Sequence, residues 1–148
     1  MLFFTGFTRF SAEIQKSTES NIDKKTKQLL EMKNLVDAAE DILTSKMNLE
    51  EFGKLLHYTW TLKRGLSTSV STNAIDDIYA KARGAGAIGG KLLGAGGGGF
   101  LLFYVEKEKQ PAVKKALSEL LYVPFEFENG GTRVVYYSAE DYEVLPEV

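Results

Sequence analysis

Cysteine is absent from the 148 residues, and histidine occurs once, at His57. These two scarcities exclude disulfide staples, thiolate metal sites and thiol nucleophiles together, and leave no material for a histidine-built metal centre. A metal would need carboxylates, and the adjacent pairs Asp76-Asp77 and Glu50-Glu51 fall at predicted helix starts, where negative charge suits the helix dipole instead. No metal site is predicted. Neither sign of charge dominates: 18 Lys+Arg against 20 Asp+Glu gives a net charge of −2. The broad positive field that phosphate backbones select is missing, so no nucleic-acid partner is predicted. Long apolar runs are missing too. Leu2-Phe3-Phe4 gives way to Arg9 too soon for a signal peptide, so we expect no membrane association and a cytoplasmic location. The 44% hydrophobic and 26% charged balance is that of a globular protein with a real core, read as one domain over 1–148.

Leu2 to Thr5 is a short β-prone run closed by Gly6, and a chain that begins inside a strand has the look of a fragment. From Ser11 to about Ser45 the apolar residues Ile14, Ile22, Leu29, Leu30, Leu35, Val36, Ala39, Ile42 and Leu43 keep helical spacing, read as two helices that break near Ser20 or Asn34. Asn48 and Glu51 resemble a capping box for a helix whose face is Leu49, Phe52, Leu55, Leu56, Thr59 and Leu62, ending at Gly65. Asn73 is the predicted N-cap of the next helix, which carries Ile75, Ile78, Tyr79 and Ala82 and stops at Gly84. Phe100 to Val105 reads as a buried strand, and Pro111 opens a helix with Val113, Ala116, Leu117 and Leu120. Phe125–Phe127 and Arg133–Tyr137 read as strands around the turn Asn129-Gly130-Gly131. With Gly90 to Gly94 extended as well, the order is that of an α+β, ferredoxin-like split βαβ fold. It predicts a four-stranded antiparallel sheet with helices on one face, and helices inserted over about 11–63.

Glycine is the exception to this scarcity. Nine of the fourteen lie between Gly84 and Gly99, ending in Gly94-Ala95-Gly96-Gly97-Gly98-Gly99 with Lys91 as the segment's single charge after Arg83. Each glycine gives up more backbone freedom than alanine on folding, roughly 0.5–1 kcal/mol in regular structure, so stability alone is a poor reason for four in a row. Backbone of this kind can turn its N–H groups toward an anion, phosphate above all. A tight hairpin or close strand packing is the competing explanation. The P-loop and Rossmann fingerprints both fail, since no Gly-Lys-Ser/Thr follows and the glycines lead into a strand.

Gly89-Gly90-Lys91-Leu92-Leu93-Gly94-Ala95-Gly96-Gly97-Gly98-Gly99-Phe100-Leu101-Leu102-Phe103 resembles the third signature motif of the GHMP small-molecule kinases, and most of all their heptose 7-phosphate kinase branch. Thr5-Gly6-Phe7-Thr8-Arg9 and Leu62-Lys63-Arg64-Gly65-Leu66-Ser67 add to the resemblance, which runs from Leu2 to about Tyr137 and covers the C-terminal half of such a kinase. Leu93 stands where many members carry Ser or Thr. The resemblance implies ATP-dependent phosphoryl transfer to a sugar hydroxyl, with Mg²⁺ on the nucleotide and an N-terminal ATP-loop domain as partner. Alone, the chain is expected to be inactive. It also implies that Gly94, Ala95, Gly96, Gly97, Gly98, Gly99 and Lys91 form a phosphate or nucleotide loop. Thr5, Arg9, Lys63 and Arg64 would face a sugar-phosphate substrate. No catalytic residue is assigned.

Other readings attach to the same residues. Lys63 and Arg64 also complement a helix C-terminus, His57 reads as a surface or core histidine, and Gly65-Leu66-Ser67-Thr68-Ser69-Val70 reads as a linker, superficially like the family's ATP loop. Two other functions fit a ferredoxin-like domain: a small-molecule-binding or regulatory module, and a purely structural one. An apolar face left where a partner domain belongs would favour a homodimer.

Overall fold

The structure is a computed structural model that describes residues 1–7, 12, 14, 16, 19 and 22–137. Its elements are β1 (Leu2–Phe4), α1 (Ile22–Thr44), α2 (Glu50–Arg64), α3 (Asn73–Gly84), β2 (Gly89–Leu92), β3 (Phe100–Tyr104), α4 (Gln110–Ala116) and β4 (Leu121–Val123). The strands form one antiparallel sheet in the order β2-β3-β1-β4, which is the predicted α+β architecture. Phe3 stands opposite both Leu101 and Tyr122, and the Phe3 and Phe103 rings meet edge to face at 6.2 Å. Around them close Trp60, Ile75, Tyr79, Ala82, Val113 and Leu117, all buried. The core therefore draws on every layer of the fold.

Several local expectations need correction. No break occurs at Asn34: α1 runs straight through it, since no Gly or Pro interrupts and Asn is only mildly unfavourable in a helix. A break near Ser20 lies outside the described residues. The α1 stripe is only partly used, with Ile42 buried while Leu30, Val36 and Leu43 are exposed. Helix α2 buries Leu56 of the expected face, leaves Phe52, Leu55, Thr59 and Leu62 half-buried and Leu49 exposed, and adds Gly53 and Trp60 to the buried set. Asn48 does accept a hydrogen bond from the Glu50 N–H at 3.0 Å, but Glu51 turns to Lys54 at 2.6 Å, so only half of the capping box forms. The N-cap of α3 is Thr72, whose hydroxyl accepts from the Ile75 N–H, one residue before the expected Asn73.

The last strand is also displaced. Residues 125–127 and 133–137 form no strand; β4 is Leu121–Val123, and Pro124 follows with no N–H to continue the ladder. The turn between them is present, with Gly131 at φ 61 and the Gly130 N–H donating to the Glu128 carboxylate at 2.9 Å.

Glycine sets the distance between α2 and the sheet. A Cβ on Gly89 would lie 1.8 Å from the Gly53 carbonyl oxygen, and one on Gly53 would lie 2.8 Å from the Tyr104 ring. Helix and strand backbones touch there, with no room for any side chain. Gly89→Ala should therefore lose about 2 kcal/mol or more in urea unfolding, the scale of overpacking a rigid contact. Gly84→Ala, with nothing within 4 Å of the added carbon, should be neutral or gain up to about 1 kcal/mol in the same assay.

Candidate functional site

Among the described residues the outer edge of β2 has no neighbouring strand, and its carbonyls alternate outward as any strand's must. Side chains from α2 and α3 satisfy them in series. Arg83 donates to the Ala87 carbonyl at 2.7 Å and to that of Ile88, the Tyr79 hydroxyl donates to Gly90 at 3.2 Å, and Lys63 Nζ donates to Leu92 at 3.2 Å and to Gly94. His57 stands behind the row, its Nδ1 in hydrogen-bond contact with the Tyr79 hydroxyl at 2.8 Å. Burial and the charge of Arg83 hold the His57 imidazole below its usual pKa, and burial pushes the Tyr79 phenol up to about 12.

Beyond Leu92 the chain enters the glycine turn, where Gly94, Gly96, Gly97 and Gly99 have φ of 73, 126, 72 and 96°. Part of the glycine content answers to packing. A Cβ on Gly96 would lie 2.8 Å from Val70 backbone, and one on Gly98 would lie 2.4 Å from the Phe7 carbonyl oxygen. The Gly97 N–H donates to Val70 and the Gly99 N–H to Phe7, each at 2.9 Å, so two of the turn's donors are committed internally. Among the described residues, the N–H groups of Gly94, Ala95, Gly96 and Gly98 have no protein acceptor.

The structure brings together only some of the residues singled out in the sequence. Thr5 is buried; its hydroxyl donates to the Gly99 carbonyl at 2.9 Å and accepts from the Phe7 N–H, so it braces the turn. Lys63 reaches the turn through Gly94 and stands near enough to Lys91 for the two charges to repel. Burial first, and Lys91 second, bring the Lys63 ammonium down to about 8. Arg64 points elsewhere, to Asp76 at 2.5 Å, which also accepts from Ser71 at 2.6 Å. Arg9 lies outside the described residues.

Two cavities flank the segment 65–71. One, of about 350 Å³, is lined in part by Lys63, Gly94, Ala95, Ile22, Leu29 and Glu19. The other, of about 380 Å³, is polar and is lined in part by Arg64, Ser67, Thr68, Ser71 and Asp76. Both are of small-molecule size. Among the described residues no group of three or more Asp, Glu, His or Cys side chains is placed to hold a metal ion.

Helical periodicity placed Tyr79 on the apolar face and assigned no role to Arg83; their part in capping the β2 carbonyls follows only from the edge position of that strand. Lys63 supplies a test of the arrangement. A lysine with its folded pKa lowered disfavours folding while charged, so its penalty is complete below about pH 8 and fades as pH rises toward 10.5. The stability of the native chain minus that of Lys63→Met should therefore rise across pH 8 to 10.5, followed by urea unfolding at each pH.

Comparison with known proteins adds the following. Residues 31–123 match the family model described as GHMP kinases C terminal. The chain is 32% identical over 121 residues to the D-glycero-alpha-D-manno-heptose 7-phosphate kinase of Campylobacter jejuni, covering 79% of this chain and 35% of that protein. It is 38% identical over 94 residues to a mevalonate kinase of Thermococcus gammatolerans, covering 61% and 27%. An L-fucokinase/L-fucose-1-P guanylyltransferase of Bacteroides fragilis is 35% identical over 126 residues, covering 80% and 13%. The solved Methanococcus jannaschii mevalonate kinase superposes with a TM-score of 0.65 at 29% identity, over 80% of this chain and 35% of that one. The chain thus spans about a third or less of the length of these proteins.

Proposed function

Because the chain belongs to the GHMP kinases, whose C-terminal region it matches, we propose that it is the substrate-side part of an ATP-dependent sugar-phosphate kinase, with a heptose 7-phosphate as acceptor. The observation that carries this reading is the glycine turn beside Lys63 and Lys91: unengaged backbone donors next to two cations suit a phosphate group. Sugar and mevalonate kinases match over similar extents, 79% and 80% of the chain for the heptose and fucose kinases and 80% for the solved Methanococcus jannaschii mevalonate kinase, so the choice of a heptose rests on the resemblance of residues 89–103 to that branch.

In this reading Gly94, Ala95, Gly96 and Gly98 offer their N–H groups to the phosphate, Gly97 and Gly99 lock the turn, and Lys91 supplies charge. Lys63 holds the turn to the end of β2 and, at a pKa of about 8, keeps its charge through neutral pH. Arg64, tied to Asp76, serves the neighbouring polar cavity, whose hydroxyls suit a sugar. ATP brings the phosphoryl group and Mg²⁺ with it, and both rest on the N-terminal domain. Phosphoryl transfer depends chiefly on positioning and charge, so half a site holds ligand without turning it over. The localisation is the cytoplasm, where the nucleotide is supplied.

The test is a chimera in which this chain replaces the matching region of the Campylobacter jejuni kinase, assayed by coupled ADP release. Turnover on heptose 7-phosphate is expected, with Lys91→Met raising KM about 10-fold, or 1.4 kcal/mol. The isolated chain should show none. Turnover on mevalonate in place of the sugar phosphate, or an unchanged KM in Lys91→Met, would overturn the assignment.

A further inference from the structure

Helix α1 packs along α2, tied to it by Gln28 at the Leu62 carbonyl and by Glu31 at the Tyr58 hydroxyl. Its Met32, Leu35, Ala39 and Ile42 are half-buried or buried, whereas Ile22, Val36 and Leu43 are 45%, 63% and 54% exposed. With half-buried Leu29, these three recur every seven residues. Such a stripe drifts about 20° per repeat around the helix, the course along which a second helix crossing at about 20° stays in contact. The charges of α1 say what that second helix is. Lys24, Lys25 and Lys27 gather near its start, against Asp23; Glu31, Asp37, Glu40 and Asp41 follow, against Lys33. A helix favours the opposite order, acids at its N-terminus and bases at its C-terminus, so the stability of α1 does not account for this one. Among the described residues, none of these side chains forms an ion pair.

We propose that α1 is a self-association surface, on which α1 of a second copy of this chain docks antiparallel about a two-fold axis near residues 32 and 33. Ile22 then lies level with the partner's Leu43, and Leu29 with the partner's Val36, so each apolar residue of the stripe meets another. Lys24 and Lys25 come level with the partner's Asp41 and Glu40, and the symmetry makes each pairing twice. Parallel docking would set lysine on lysine and acid on acid. Lys33 falls beside its own copy at the axis, the one like-charge meeting in the arrangement. Ile22 and Leu29 also line the cavity next to Lys63 and Gly94, so the partner's Leu43 and Val36 arrive at its rim. The inference stands on α1 alone and does not depend on the kinase reading.

Cross-linking tests it directly, because the chain has no cysteine of its own. Ile22→Cys mixed with Leu43→Cys should give disulfide-linked dimers on mild oxidation, whereas Ile22→Cys alone should give none, its two copies lying about 30 Å apart. Sedimentation of the full chain should show a monomer–dimer equilibrium that depends on concentration and weakens as salt is raised. Val36→Asp should weaken the dimer about 100-fold and leave the far-ultraviolet circular dichroism unchanged, since the residue is exposed in the monomer. Lys24→Glu and Asp41→Lys should each weaken it about 10-fold, and the two together in one chain should restore it. Lys33→Ala should tighten it. A chain that stays monomeric, a dimer indifferent to Val36→Asp, self-linking of Ile22→Cys, or a charge swap without rescue would each overturn the proposal. A monomeric chain whose Val36→Asp change nonetheless lowers the Tm of the chimera described above would assign the stripe to the rest of the kinase instead.

Discussion

An edge strand whose carbonyls must be satisfied without a neighbouring strand is the constraint on which this structure rests. A buried or half-buried carbonyl with no donor loses about 1–3 kcal/mol, and β2 presents such groups at Ile88, Gly90, Leu92 and Gly94. Arg83, Tyr79 and Lys63 meet them, which fixes α2 and α3 along the edge and fixes their distance from it. That distance in turn requires glycine at position 89, where a Cβ would strike the Gly53 backbone, and at position 53, where one would strike the Tyr104 and Ile88 side chains. Helix placement, glycine content and the approach to the turn at Gly94 are therefore one problem with one solution.

The same contacts connect architecture to the turn proposed to hold a phosphate. Lys63 holds the last two carbonyls of the row, and the second of them belongs to the first residue of the glycine turn. Thr5 braces the turn's far end through Gly99, and Val70 receives the Gly97 N–H from the middle. A turn of this composition would be floppy in isolation; here it is tied at its start, middle and end, and its remaining donors are presented in a set geometry. Preorganisation of this kind is what a loop that must recognise charge without a side chain of its own depends on.

Much of the fold was legible in the sequence because strong local signals coincided: the apolar run at Phe100, Pro111 at a helix start, and the glycines before a strand. What was not legible depended on contacts between distant residues. The buried face of α2 is Gly53, Leu56 and Trp60 because β2 lies against it, and no helical period can say that a glycine is the contact point. Leu121–Val123, close in sequence to the end of α4, is the segment that pairs with β1, a choice set by the connection and not by the higher β-propensity of residues 133–137. At the candidate site, the turn was found from composition, but its glycines divide between two tasks, and only the positions of Val70 and Phe7 separate them. Arg64 stood next to Lys63 in the sequence, yet adjacent positions on a helix point some 100° apart, and it meets Asp76 instead.

The sealed edge of β2 also bears on how the protein behaves at high concentration. Strand edges with bare donors and acceptors are templates on which sheets grow from one molecule to the next, and natural proteins block them with charge, bulges or short length. Here the block on one side is a fence of two cations and a phenol, and on the other a three-residue strand stopped by proline. Growth of fibres is thereby opposed at both edges of the sheet, and at the β2 edge by residues that sit at, or beside, the candidate site. Evolution of that site toward other ligands is accordingly limited: exchanging Lys63 or Tyr79 for a better ligand contact would also open the protein to aggregation.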